Sequence, residues 1–190
     1  MNLQTKLPTP WRFARCIPHS NIPNELRDFL LDPGSTTRRM QREYAAQTKV
    51  DLLKQEWCYP HYQEAKLLNI PLRQNALIRE VYLSCQNKIW MYAKTTFPSY
   101  LFTGKTTHLL TELDQRPLGK LLFRDPTMRR TEFELVLLKP HHEEYQWAIQ
   151  RYAAPDSLWA RRSIFWLQGK PLLLMEVFFS GFFELVKVKK

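Results

Sequence analysis

The sequence predicts an antiparallel α+β domain, on three observations. Two pairs of apolar, strand-like segments are joined by two or three residues, at Gln86-Asn87 and around Gln168-Gly169, which is hairpin spacing. The helical patterns are short and inserted between strands rather than following every one, unlike a parallel βαβ chain. With 190 residues and 44% hydrophobic content, the chain can bury one core without disulfide staples.

In chain order, NIPNELRDFLLDPG from Asn21 puts Leu26, Phe29 and Leu30 on one side of a short helix, stopped by Pro33 and Gly34. Ser35 stands as a cap before the polar segment that continues TTRRMQREY. VDLLKQEW, residues 50–57, reads as a strand, and ALIREVYLSC with KIWMYAKTTFP as the first hairpin. GKTTHLLTELDQRPLGKLLF contains two short helical stretches, with Pro117 at a helix start. TEFELVLL, residues 131–138, alternates as a strand, and HHEEYQWAIQRYAA is helical up to Pro155. RRSIFWL and PLLLMEVFF form the second hairpin. Residues 1–190 are expected to form a single domain, with an N-terminal arm (1–20) and a basic tail (181–190) loosely held.

The apolar runs are far too short to span a bilayer, and the N-terminus lacks the apolar core of a secretory signal. Cys16, Cys58 and Cys85 stand far apart, a pattern of reduced thiols in a cytoplasm rather than of a disulfide frame or zinc site. The net charge of +10 raises the question of nucleic acid. Its carriers are scattered, however: Arg38-Arg39, Arg129-Arg130, Arg161-Arg162 and the tail Lys187, Lys189, Lys190. No basic helical stripe or RNA-binding aromatic motif accompanies them, so they read as a solvated surface whose field also suits small dianions.

Chemistry is expected where charges sit in apolar strands. In KPLLLMEVFF, Glu176 shares one strand face with Leu172, Leu174 and Phe178, while the other face is equally apolar. An unpaired carboxylate buried there costs several kcal/mol, on the order of the penalty for one desolvated ion. In ALIREVYL, Arg79 alternates with Leu77, Val81 and Leu83, and Glu80 with Ile78 and Tyr82. Two readings are open: Arg79 and Glu176 form a buried ion pair that holds the sheet, or a small anionic ligand lies between them. Lys94, flanked by Tyr92 and Thr96, matters only if Arg79 points into the same cavity.

Other motifs fail. TGKTT from Thr103 has Ser99 where a phosphate-binding loop needs glycine. His141-His142-Glu143-Glu144 has no second ligand cluster at helical spacing and reads as a solvated helix start. There is no GxSxG elbow.

LIREVYL, YAKTTFP, RPLGKLLF and LWARRSIFWLQGKPLLLMEVF, in this order, resemble the chorismate pyruvate-lyase family. The similarity runs from about the STTRRM segment to Phe178. It implies a sheet with helices on one side and a ligand enclosed beneath helical flaps. It also implies the cofactor-independent conversion of chorismate to 4-hydroxybenzoate and pyruvate, at the start of ubiquinone synthesis. By the match, Arg79 would hold a carboxylate, Glu176 would face the ring near its 4-hydroxyl, and backbone groups at Thr36 and Leu118 would complete the pocket. Lys94 occupies a basic position of the family, often arginine, and would hold the second carboxylate. The segment from Lys139 to Pro155 and the tail SGFFELVKVKK run longer than in short members. The resemblance implies a monomer with no nucleic-acid partner, metal or organic cofactor. A non-catalytic sensor of small aromatic acids is the rival on the same fold. The regulators that carry such sensors place a winged DNA-binding domain ahead of them, and fewer than about fifty residues precede the first strand here, too few for one.

Overall fold

Both expected strand pairs form hairpins, and together they make the centre of one antiparallel sheet. The computed structural model describes residues 8–44, 48–85, 88–103, 118–123, 125–151 and 156–179. The first long hairpin is β3 (Ala76–Cys85) with β4 (Lys88–Pro98); the second is β7 (Leu158–Leu167) with β8 (Lys170–Phe178). Gln168 and Gly169 both have positive φ, 51° and 78°, the backbone of a two-residue hairpin turn whose twist matches its strands. Strand β8 pairs with β4, so the hairpins share their inner edges. β2 (Thr48–Cys58) extends the sheet beyond β3, with a bulge between Leu52 and Lys54. On the other side, β6 (Glu134–Leu138) and the two-residue β1 (Arg12–Phe13) follow β7, giving the order β1-β6-β7-β8-β4-β3-β2. The short β5 (Arg129–Arg130) pairs with the far end of β7.

The central strands are buried on both faces because both are covered. One face carries α1 (Asn24–Leu30), α2 (Thr36–Tyr44) and α4 (Leu118–Leu122). Leu26, Phe29 and Leu30 of α1 pack there against Val81, Leu83, Met91 and Phe178. Ser35 caps α2 as expected: its Oγ accepts from the Arg38 N–H at 3.3 Å. The described flap-like segments lie on this face. The reverse face is covered by two further short helices, α3 (Tyr62–Leu67) and α5 (Glu143–Ala148). Tyr145 and Ala148 of α5 pack against Tyr82, Tyr92 and Val177, and the Tyr82 hydroxyl donates to the Ala148 carbonyl at 2.6 Å.

Two expectations need amending. The helix expected over 141–154 is short, six residues long (Glu143–Ala148), and 152–155 lie outside the described residues. The N-terminal arm is tied down from Thr9: its hydroxyl donates to Glu144 at 2.5 Å, and β1 adds to the sheet edge. The cause is that Glu144 is buried and needs donors. The first helical stretch of 104–117 and the basic tail lie outside the described residues. Among the described residues, no helix is long and apolar enough to cross a membrane.

Candidate active site

The sheet leaves room for a ligand because its middle strand carries small side chains between two charged ones. Arg79 on β3 lies across from Thr95 on β4, which lies across from Leu174 on β8. Glu176, two residues along β8, lies across from Ala93, which faces Val81. Residues opposite one another share a face, so Arg79 and Glu176 look into one space with only Ala93 and Thr95 beneath it. Two strand spacings and a two-residue offset put their Cα atoms roughly 12 Å apart. Strand side chains rise from the sheet rather than along it, so that separation leaves room over β4 for a para-substituted ring.

A cavity occupies this space, roofed by Gly34, Ser35, Thr36 and Thr37 on one side and Leu118, Gly119, Leu122 and Phe123 on the other. It leaves about 50 Å³ for the centres of water-sized spheres. One water needs roughly 10–15 Å³ by that measure, so the space suits several waters or a small ligand. The charged side chains among its described lining are Arg79, Arg130, Arg161 and Glu176. Three guanidiniums to one carboxylate favour an anionic ligand. The rest of the wall is largely aliphatic, with Phe123 and Phe165, as an aromatic ring requires.

Glu176 does not pair with Arg79. Its partner is Arg161, directly opposite on β7, whose Nε donates to Oε2 at 2.5 Å. Thr36 donates its hydroxyl to Oε1 at 2.9 Å, and the Arg130 Nη2 lies 3.7 Å from Oε2. Burial alone would push the Glu176 carboxyl up. The charges of Arg161 and Arg130, with hydrogen bonds from Arg161 and Thr36, outweigh that and hold it below the ordinary carboxylate range. It is therefore an ionised acceptor. Arg130 is lowered to about 9, by its burial first and then by the neighbouring charge of Arg161; its guanidinium lies over the rings of Phe133 and Phe165 at 4.0 and 4.4 Å.

Of the five residues expected at the site, Arg79, Glu176, Thr36 and Leu118 line this cavity. Thr36, expected to contribute backbone, also contributes its hydroxyl. The structure does not bring Lys94 there. It faces the reverse side of the sheet, alongside Glu80, its partner across the strands. Its Nζ pairs with Glu64 Oε1 at 2.9 Å and sits 3.7 Å above the Trp147 ring. Thr96 donates to the other Glu64 oxygen at 3.1 Å. Both members of that pair are about 7% exposed. Lys94→Met is accordingly expected to lower the unfolding free energy by about 3–5 kcal/mol, the cost of a stranded buried carboxylate. Adding Glu64→Leu should recover most of it in urea unfolding; no recovery would mean that the pair is not the source of the loss.

The two roofs meet at Ser35 and Gly119. A methyl group on Gly119 would lie 2.5 Å from the Ser35 Oγ and 3.3 Å from its Cβ. Gly119→Ala is expected to push that hydroxyl off its capping position, at about 1 kcal/mol. In a double-mutant cycle with Ser35→Ala, the two costs should then fall short of adding; full additivity would show that the contact is not made.

The residues missed are Arg130 and Arg161, which the sequence reading left among solvated surface charges. Arg161 is 1% exposed. Two residues either side of the Gln168-Gly169 turn start a regular register, Leu167 with Lys170, that arrives at Arg161 with Glu176. That count was available in the sequence.

With this geometry in view, likeness to known proteins is informative. The sequence model of the family described as chorismate lyase matches residues 9–188. The chain belongs to the chorismate lyase family. A protein of Aromatoleum aromaticum named "Probable chorismate pyruvate-lyase" is 36% identical over 171 residues, covering 88% of this chain and 91% of that one. A protein of the same name from Hydrogenovibrio crunogenus is 36% identical over 172 residues, 90% of each chain. Among solved structures, PhnF from Mycobacterium smegmatis matches with a TM-score of 0.56 at 12% identity, over 80% of this chain and 66% of that one. Its effector domain alone matches at 0.55 and 13%, over 80% and 91%. These likenesses extend to the fold.

Proposed function

We propose that the cavity between Arg79 and Glu176 is a chorismate pyruvate-lyase site, which eliminates pyruvate from chorismate to leave 4-hydroxybenzoate. The observation that carries this reading is a buried, ionised carboxylate and a buried guanidinium at opposite ends of one ring-sized, cation-rich space. In the proposed reaction, the ring C3–O bond to the enolpyruvyl group breaks as the C4 hydrogen leaves as a proton. The ring becomes aromatic, and the departing enolpyruvate takes up a proton to become pyruvate. Arg79 holds the ring carboxylate through two parallel hydrogen bonds. Glu176, held ionised, accepts from the ring hydroxyl and is placed to receive the C4 proton. Arg130, more distant from Glu176 than Arg161, holds the second carboxylate, the part expected of Lys94, and offsets charge on the departing group. The scheme calls on no metal or organic cofactor, and a cytoplasmic monomer at the head of ubiquinone synthesis is part of the same proposal.

The reaction is tested by mixing the purified chain with chorismate in chelated buffer, following 4-hydroxybenzoate by absorbance and pyruvate by a coupled assay. Equal formation of both is the expected result. Binding of 4-hydroxybenzoate by folded protein without turnover would make the pocket a sensor instead.

A further inference from the structure

In the roof segment that joins α1 to α2, one side chain from the sheet meets most of the backbone carbonyls that bond to it. Arg161 Nη1 donates to the carbonyls of Phe29 at 2.7 Å, Leu30 at 3.2 Å and Asp32 at 2.9 Å. These are the last carbonyls of α1 and its exit, groups that a helix leaves without internal partners. Arg161 Nη2 donates to the Thr36 hydroxyl at 2.6 Å, at the head of α2. The third nitrogen, Nε, donates to Glu176. The Thr36 hydroxyl closes a triangle, accepting from Arg161 and donating to Glu176. Arg130 repeats the arrangement more loosely, with Nη1 at 3.2 Å from the Pro33 carbonyl and Nη2 near Glu176.

Each nitrogen of Arg161 therefore serves either Glu176 or the segment 29–36. Its guanidinium lies 4.4 Å from the Phe133 ring, and among the described residues Glu176 is the carboxylate that pairs with it. A buried cation holds its position only while its counter-ion is present, and hydrogen bonds in such a ring strengthen one another.

We propose that Arg161 is a positioning residue that makes closure of the 29–36 roof depend on the ionised Glu176 carboxylate. This deepens the lyase reading, on which its consequence rests: the group that meets the ring hydroxyl also sets how firmly the product is enclosed. The coupling itself needs no chorismate. A merely structural Arg161 would hold the three carbonyls whatever stood at 176; a coupled one would not.

The test is hydrogen exchange on the full chain without ligand, read over 29–36 and over β7 and β8. Glu176→Gln and Thr36→Val should each speed exchange in 29–36 about tenfold, the loss of one hydrogen bond to a charged group. In Thr36→Val, which strands no charge, β7 and β8 should be unchanged; in Glu176→Gln they should speed only by the global loss of stability, which urea unfolding reads separately. Arg79→Ala, at the other end of the cavity, should leave 29–36 as protected as before. Thr36→Val should also speed release of 4-hydroxybenzoate about tenfold while changing kcat/KM less. If 29–36 stays as protected in Glu176→Gln as in the unaltered chain, the coupling is wrong. Should Glu176→Gln fail to fold, Thr36→Val decides alone: unchanged protection of 29–36 there would equally overturn the coupling. A chain without lyase activity could still show the exchange coupling, so the two proposals fail separately.

Discussion

Replacing Glu176 with Gln is expected to lower kcat by about 10²- to 10⁴-fold, the range for loss of a positioned general base. Affinity for 4-hydroxybenzoate should fall much less, because the amide oxygen still accepts a hydrogen bond. Equal losses in both would make Glu176 a binding residue only. The same substitution removes the counter-ion of a fully buried arginine, so stability should drop by about 3–5 kcal/mol. The pH dependence follows from the lowered Glu176 carboxyl. Its stabilising contribution is fully present above the ordinary carboxyl value near 4.5 and is lost as pH falls through the lower native value. Acid unfolding of the unaltered chain should therefore steepen below that point. The Gln variant should be flatter there; identical acid profiles would show that Glu176 carries no such linkage.

Arg79→Ala should raise KM and cut kcat/KM by about 10²- to 10³-fold, as expected for losing a charge-assisted, two-bond grip on a carboxylate. Arg79→Lys keeps a charge but not the fork, and should fall between the two. Since Arg79 is only 2% exposed, each variant needs its folding checked by unfolding midpoint. Turnover that survives in folded Arg79→Ala would make the residue structural. The same experiment on Lys94 should read as lost stability, because its partner is Glu64 on the other side of the sheet.

Much of this site was legible in the sequence. The oddity of a carboxylate in KPLLLMEVFF pointed to Glu176, and the aliphatic company of Arg79 pointed to its face. Lys94 was harder for a definable reason. Counting back from the Gln86-Asn87 turn pairs Cys85 with Lys88 and Ser84 with Ile89, and the same count would pair Arg79 with Lys94 on one face. The register instead shifts between Leu83 and Ser84, leaving Trp90 as an extra residue on β4. One inserted residue turns every later side chain to the opposite face, so Thr95 meets Arg79 and Lys94 meets Glu80. Nothing in KIWMYAK announces that bulge. The second hairpin has none, and the Arg161–Glu176 pair follows from simple counting.

The roof was less legible still. The stop at Pro33-Gly34 placed the end of α1, and Ser35 reads as a cap before a segment marked only as polar, which the structure shows as α2. Only the folded chain shows Phe29, Leu30 and Asp32 carbonyls meeting a guanidinium from β7, 129 or more residues away in sequence. Such contacts depend on tertiary geometry rather than on local pattern. The same holds for α3 and α5, whose apolar positions are few and whose place on the reverse face is set by buried Glu64 and Glu144 finding donors there.

The most direct measurement is a crystal structure of the chain with 4-hydroxybenzoate. The account predicts the ring over Ala93 and Thr95, its carboxylate on the Arg79 guanidinium, and its hydroxyl within hydrogen-bond distance of Glu176, beneath Thr36 and Leu118. A ligand bound in the reverse orientation, or on the Lys94 side of the sheet with this cavity empty, would contradict it.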